Sequence, residues 1–197
     1  MENEPIETIV SGDTTIKIYY DIDPATHPRK DMDNLGTLHS FYGGHGEGDE
    51  SGEKWEIQDF MEETPLIYLP VSFYEHGGIR IFTDSYTESW DSGAWGVIYV
   101  TLEDIRKAYG WKYITAKRAK EIRSYLASEV EVYSQYVDGD IYGFEVTCNQ
   151  CGDHLDSNWG YYGTDWQQNE LLDSASGHTC PVCSEVIKRL ESITAEV

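Results

Sequence analysis

Thr115-Ala-Lys-Arg-Ala-Lys-Glu-Ile-Arg-Ser-Tyr-Leu-Ala-Ser-Glu-Val-Glu-Val-Tyr-Ser-Gln-Tyr-Val137 places Ala119, Ile122, Leu126, Val130, Tyr133 and Val137 at steps of three and four residues. That period puts them on one face of a helix, opened by Thr115 and ended by Asp138-Gly139. The apolar face packs on a sheet, while Lys117, Arg118, Lys120 and Arg123 fall on or beside the solvent side. A shorter helix precedes it. Thr101 lies before Leu102 with Asp104 three residues on, which approximates a capping box, and Gly110 supplies the stop.

The sheet is read from β-branched and aromatic runs bounded by turns. Thr14-Thr-Ile-Lys-Ile-Tyr-Tyr20 is the first strand. Leu66–Tyr74 and Ile79–Thr83 flank His76-Gly-Gly78 as a hairpin, with Pro70 marking an edge or a bulge. Trp95–Val100 and Asp140–Val146 add two more strands. From Pro24 to Gly52 the chain reads as a long binding or mobile loop, punctuated by prolines and glycines. The expected fold class is α+β: an antiparallel sheet packed by one long helix, with a small C-terminal four-cysteine zinc module. The expected domains are an α+β body over residues 1–144, with an acidic loop region at 21–63, and a zinc-finger-like module over 145–197.

Charge narrows the function. The chain has 36 Asp plus Glu against 14 Lys plus Arg, a formal net of −22, and residues 1–70 carry 16 acids and 4 bases. Such a chain repels nucleic-acid phosphates and anionic membranes over ~8–10 Å and attracts basic protein surfaces. Solubility or adaptation to a salty cytoplasm explains the same charge equally well. A content of 40% hydrophobic and 13% aromatic residues argues for a folded core. The N-terminus lacks a basic region followed by an apolar run, and no stretch approaches the ~18–20 apolar residues of a membrane span. A soluble, cytoplasmic protein is expected.

All four cysteines fall late, as Cys148-Asn-Gln-Cys151 and Cys180-Pro-Val-Cys183. Two such knuckles let four thiolates converge on Zn²⁺, and four protein ligands close the coordination sphere, so the metal is structural. The spacing leaves room for an inserted hairpin, and the second pair begins the amphipathic Ser184–Leu190 helix, which resembles a treble-clef zinc finger. Two disulfides, or a redox pair, fit a cytosolic chain without a thioredoxin-like context less well. His154 and His178 flank the pairs as substitute ligands.

Other chemistry is thin. Asp21-Ile-Asp23 follows a strand as in haloacid-dehalogenase-like phosphatases, but Ala25 departs from that pattern. With Asp31 and Asp33 these aspartates suggest a Mg²⁺ site for phosphoester hydrolysis, against the simpler reading of loop capping. His39 and His45 straddle Phe41-Tyr-Gly-Gly44 without a nucleophile. Seven of the 14 basic residues lie between Arg106 and Arg123, interleaved with Tyr109, Trp111 and Tyr113. This is the one place where direct nucleic-acid binding can reside. Whole-chain charge opposes it, and pairing with nearby acids, or docking on an acidic surface, is the simpler account.

Several segments resemble an uncharacterised family of small acidic proteins from bacteriophages, archaeal viruses and mobile elements. They are Asp21-Ile-Asp-Pro24 with Arg29 and Asp33-Asn-Leu-Gly-Thr37, Trp90–Val100, Ile105–Gly110, Tyr133–Phe144 and Asp156–Gly163. The resemblance implies a viral setting in a host cytoplasm and assigns no activity; the four-cysteine module and the less basic His39–Gly48 depart from it. Small acidic proteins of mobile elements often block host defences. The leading expectation is therefore a non-enzymatic inhibitor of a basic nucleic-acid-binding host protein, of anti-restriction or anti-CRISPR type. Its DNA-mimicking surface comprises Asp21, Asp23, Asp31, Asp33, Glu47, Asp49, Glu50, Glu53, Glu56, Asp59, Glu62 and Glu63. No direct contact with nucleic acid or membrane is expected. The alternatives are the Mg²⁺-dependent hydrolase and a zinc-finger interaction adaptor.

Overall fold

The computed structural model describes residues 4–41, 48–84 and 90–194. In chain order the elements are β1 (Glu7–Ser11), β2 (Thr14–Tyr20), β3 (Thr37–Ser40), β4 (Glu50–Ser51), α1 (Lys54–Glu63), β5 (Leu66–Glu75), β6 (Ile79–Phe82), β7 (Ser92–Thr101), α2 (Leu102–Tyr109), α3 (Ala116–Asp138), β8 (Ile141–Cys148), β9 (His154–Tyr162), α4 (Leu171–Ala175) and α5 (Pro181–Thr194). The fold is mixed α+β with antiparallel sheets and a four-cysteine cluster near the C-terminus. No helix among the described residues is long and apolar enough to cross a membrane.

There are two sheets rather than one. The chain divides into one unit built from residues 1–25 and 139–197 and another from 26–138. The first unit holds an antiparallel sheet in the order β1-β2-β8-β9. Ile16 and Ile18 alternate onto the face that also carries Phe144 and Val146, where Leu171 and Ala175 of α4 seal the core. The expected boundary at 144/145 falls inside β8, which pairs with β2 from Thr14↔Cys148 to Tyr20↔Tyr142. This strand carries both core residues and a cysteine, so the C-terminal part is continuous with the sheet.

The second unit holds the order β4-β3-β7-β5-β6, antiparallel except for the short β3–β4 pair. Alternation along β7 separates two faces. Ile98 and Val100 meet Ile105 of α2 and Ile122, Leu126, Val130 and Tyr133 of α3, whereas Val97 and Tyr99 meet Ile57 of α1. Helices thus cover both faces, α2 and the long α3 on one and α1 on the other. The register shifts at Val71/Ser72, where Val71 pairs with Gly96 and Ser72 with Ala94. The extra residue, Trp95, joins the α3 side, edge-on to Tyr133 at 6.3 Å. Pro70, just before this bulge, pairs with Val97 and lies outside the β6 pairing, where no N–H is required.

Candidate functional site

The metal-ligand geometry begins at the end of β8. Gly152 adopts φ 78° and its N–H donates to Cys148 O at 2.9 Å, while the Cys148 N–H donates to Asp153 O at 2.9 Å. This closes the first knuckle, with β8 and β9 paired on either side of it. The hairpin therefore forms across the knuckle, and β9 and α4 occupy the stretch between the two pairs. Pro181 opens α5, where a missing N–H costs nothing, so Cys180 and Cys183 lie at a helix start.

The four thiols are unbridged, and their Sγ atoms all lie within 4.8 Å of one another. Cys148 and Cys183 are 3.8 Å apart and Cys151 and Cys180 are 3.6 Å apart. A tetrahedral ion with metal–sulfur bonds of ~2.3 Å has sulfur–sulfur edges of ~3.8 Å, whereas a disulfide needs ~2.05 Å. The cluster can hold a metal ion. Backbone N–H groups of Cys151 and Gln150 pull the Cys148 thiol down to about 7, favouring the thiolate that binds metal. The neighbouring Cys151 and burial push the Cys183 thiol up. His178 is engaged elsewhere, with Nε2 3.0 Å from Ser174 O and 3.4 Å from Asp156, and neither it nor His154 joins the cluster.

Asp21 and Asp23 belong to one unit and Asp31 and Asp33 to the other, so neither unit holds three of them. Asp31 accepts the His27 N–H at 2.7 Å, which is loop capping. Among the described residues, the four cysteines are the one set of three or more such groups whose donor atoms converge.

The acidic segment divides by role. Asp49 accepts from Arg29 Nε at 3.0 Å, from Arg29 Nη2, and from the Leu38 N–H at 2.8 Å. Glu56 accepts the Glu53 N–H at 3.1 Å across the α1 start. Glu50 accepts from Tyr99 Oη at 3.2 Å; burial, then the Glu50 charge, pushes that phenol up to about 12. Glu50, Glu53, Glu56, Asp59, Glu62 and Glu63 are exposed. Glu47 and His45 lie outside the described residues.

Arg29 is the organiser that sequence reasoning missed. Its side chain is 2% exposed, and all five N–H groups find acceptors: Asp49 twice, Asn34 Oδ1 at 2.8 Å, Glu129 Oε2 at 2.8 Å and Gly36 O at 2.6 Å. Glu129 of α3 also accepts the Leu35 N–H at 2.7 Å. Gly36 is required here, since a Cβ would lie 2.5 Å from Leu126 Cδ2. An open depression of about 510 Å³ borders Arg29, Asp33, Asn34, Asp49 and Glu50. The Arg29 guanidinium, with all five N–H groups engaged, has no donor left for a ligand there. His39 is the opposite case: it is buried, with neither ring nitrogen hydrogen-bonded among the described residues and Nδ1 3.6 Å from Glu50 Oε2, beyond hydrogen-bond reach.

No protein-family model, curated protein or solved structure matches this chain.

Proposed function

We propose that this is a non-enzymatic protein of a virus or mobile element that inhibits a nucleic-acid-processing host defence protein by occupying its basic groove. The carrying observation is α1, which holds Glu56, Asp59, Glu62 and Glu63 exposed on ordered backbone, preceded by Glu53 and opposed by Lys54. From Glu53 to Glu63 the helix advances ~15 Å at ~1.5 Å per residue, which spaces its carboxylates ~3.8 Å apart on average along the axis, against ~3.4 Å per charge along one nucleic-acid strand and ~1.7 Å for a duplex. The helix stands in for a single strand of phosphates. The sheet beneath fixes it through Ile57 and the contact of Phe60 with Tyr99 at 5.4 Å.

The same reading assigns one structural Zn²⁺ to Cys148, Cys151, Cys180 and Cys183 in a treble-clef-like module. Four converging thiols with no histidine or carboxylate suit zinc. An adaptor role for this module has one observation in its favour: Val182, Val186 and Ile187 of α5 are 59%, 52% and 39% exposed.

The test replaces Glu56, Asp59, Glu62 and Glu63 together by Gln or Asn and measures binding to restriction and CRISPR nucleases over a salt series. Wild type should bind one of these proteins, weakening as salt rises, and the variant should bind less tightly with a flatter salt dependence. Equal binding by both proteins contradicts the assignment to α1.

A further inference from the structure

The basic stretch is not consumed by the protein's own acids. Lys107 pairs with Glu103 at 3.0 Å and Asp104 at 3.3 Å, and Lys117 reaches Glu121 at 3.9 Å. Arg118 lies over Trp111, its guanidinium 4.5 Å from the ring centroid, and donates to Tyr113 O at 2.8 Å. Arg106, Lys112, Lys120 and Arg123 are exposed and have no carboxylate partner among the described residues. The first turn of α3 contains no acid, so Lys117 and Arg118 oppose the helix dipole.

The placement is polar across the sheet. The face covered by α1 carries exposed carboxylates opposed by Lys54, and the opposite face, covered by α2 and α3, carries these cations interspersed with Glu103, Asp104, Glu121 and Glu131. Lys117, Lys120 and Arg123 follow one another at three-residue steps along the exposed side of α3. Exposed rings accompany them: Tyr109 is 43%, Tyr113 69% and Tyr125 44% exposed. Tyr109 stacks on Trp111 at 4.4 Å, and Lys112 Nζ is 5.4 Å from the Tyr113 ring.

We infer that this α2–α3 surface binds single-stranded nucleic acid, with Lys112, Lys117, Lys120 and Arg123 on the phosphates and Tyr113 as a stacking platform for a base. Charge complementarity selects a polyanion. The exposed rings select an unpaired strand, because a duplex hides its base faces, and an acidic protein surface gains little from an exposed tyrosine ring. The rest of the chain is repulsive, but at ~0.1 M salt charges more than ~10 Å away are largely screened while contacts within the patch persist. This surface is distinct from α1 and does not depend on the inhibitor reading.

The experiment is fluorescence anisotropy of a labelled oligothymidylate of about 20 nucleotides, enough for several stacking contacts, titrated with the full chain at ~0.1 M salt. Wild type should bind, with a duplex of the same length bound more weakly. The Lys117→Gln/Lys120→Gln/Arg123→Gln variant should lose affinity at least about tenfold and show a shallower salt slope. Tyr113→Ala should lose about fivefold or more with the slope unchanged, as a lost stacking contact predicts. Because all four positions are exposed, circular dichroism should show native folding in both variants. Absence of binding by wild type, equal binding by the triple variant, or tighter binding of duplex overturns the inference. So does salt-sensitive self-association of wild type that the triple variant loses without any oligothymidylate binding, since the patch then docks on acids of a second copy.

Discussion

Arg29 and Glu129 lie 100 residues apart in sequence and meet at 2.8 Å, with side chains 2% and 6% exposed. This pair ties the loop before β3 to the middle of α3. Asp49 completes the cluster, and together its acids hold Arg29 firmly protonated despite burial. A buried pair of this kind contributes less net stability than its contacts suggest, but removal of one partner strands the other charge.

Arg29→Met should therefore lower unfolding free energy by about 3–5 kcal/mol in urea denaturation, because Glu129 and Asp49 lose their counter-charge. Replacing Arg29 and Glu129 together by Met and Leu should recover part of that loss. A single substitution costing under about 1 kcal/mol would place the stability of this loop elsewhere.

His39 predicts the reverse. Its buried ring has no hydrogen bond among the described residues, so His39→Phe removes an unsatisfied polar group and should leave the protein as stable, or stabilise it by up to about 1–3 kcal/mol. Thermal denaturation at neutral pH measures this, and a clear loss of stability would show that the imidazole has a role that packing does not account for.

His27 gives a pH dependence with a definite sign. Burial, and secondarily Lys30, lower its pKa below the ordinary value of 6.5, and its Nδ1 accepts the Arg29 N–H at 3.2 Å. The unfolded chain therefore binds this proton more readily than the folded one. Its contribution is present above the unfolded pKa and is lost as pH falls through ~6.5 towards the lower folded value. An NMR titration should place the His27 midpoint below that of a free imidazole; a midpoint at or above it contradicts the packing against Tyr136, 4.7 Å between ring centroids.

The metal assignment predicts one Zn²⁺ per chain in protein purified without added zinc. Cys151→Ser should retain much less metal, with α5 losing amide protection before the β2–β8 pair, because metal ligation is part of folding at this site. Reduced protein with four free thiols and no bound metal would remove zinc from the account.

Much of this was legible locally. The three- and four-residue steps of Ile122, Leu126, Val130 and Tyr133 announce α3, the Thr101 and Gly110 caps bound α2, and two CxxC pairs announce a metal-ligand cluster. Pairing was not legible. A two-residue alternation in residues 14–20 says that a strand exists, but not that its partner is β8, more than 120 residues away, or that it belongs to a different sheet from β5 and β7. Helix α1 was hidden because Ile57 is its one buried residue, and its acids read as a loop. Arg29 gave no periodic signal, since its role depends on carboxylates 20 and 100 residues away.

The central claim is that α1 stands in for a nucleic-acid strand, and displacement tests it most directly. Labelled single- and double-stranded DNA are pre-bound to purified restriction and CRISPR nucleases, and the full chain is titrated in while anisotropy reports release. The account predicts release from at least one of them, competitive with DNA concentration and at least about tenfold less effective for the variant lacking the Glu56, Asp59, Glu62 and Glu63 charges. Release that is non-competitive, or equal for wild type and variant, or absent from every such nuclease, would contradict it.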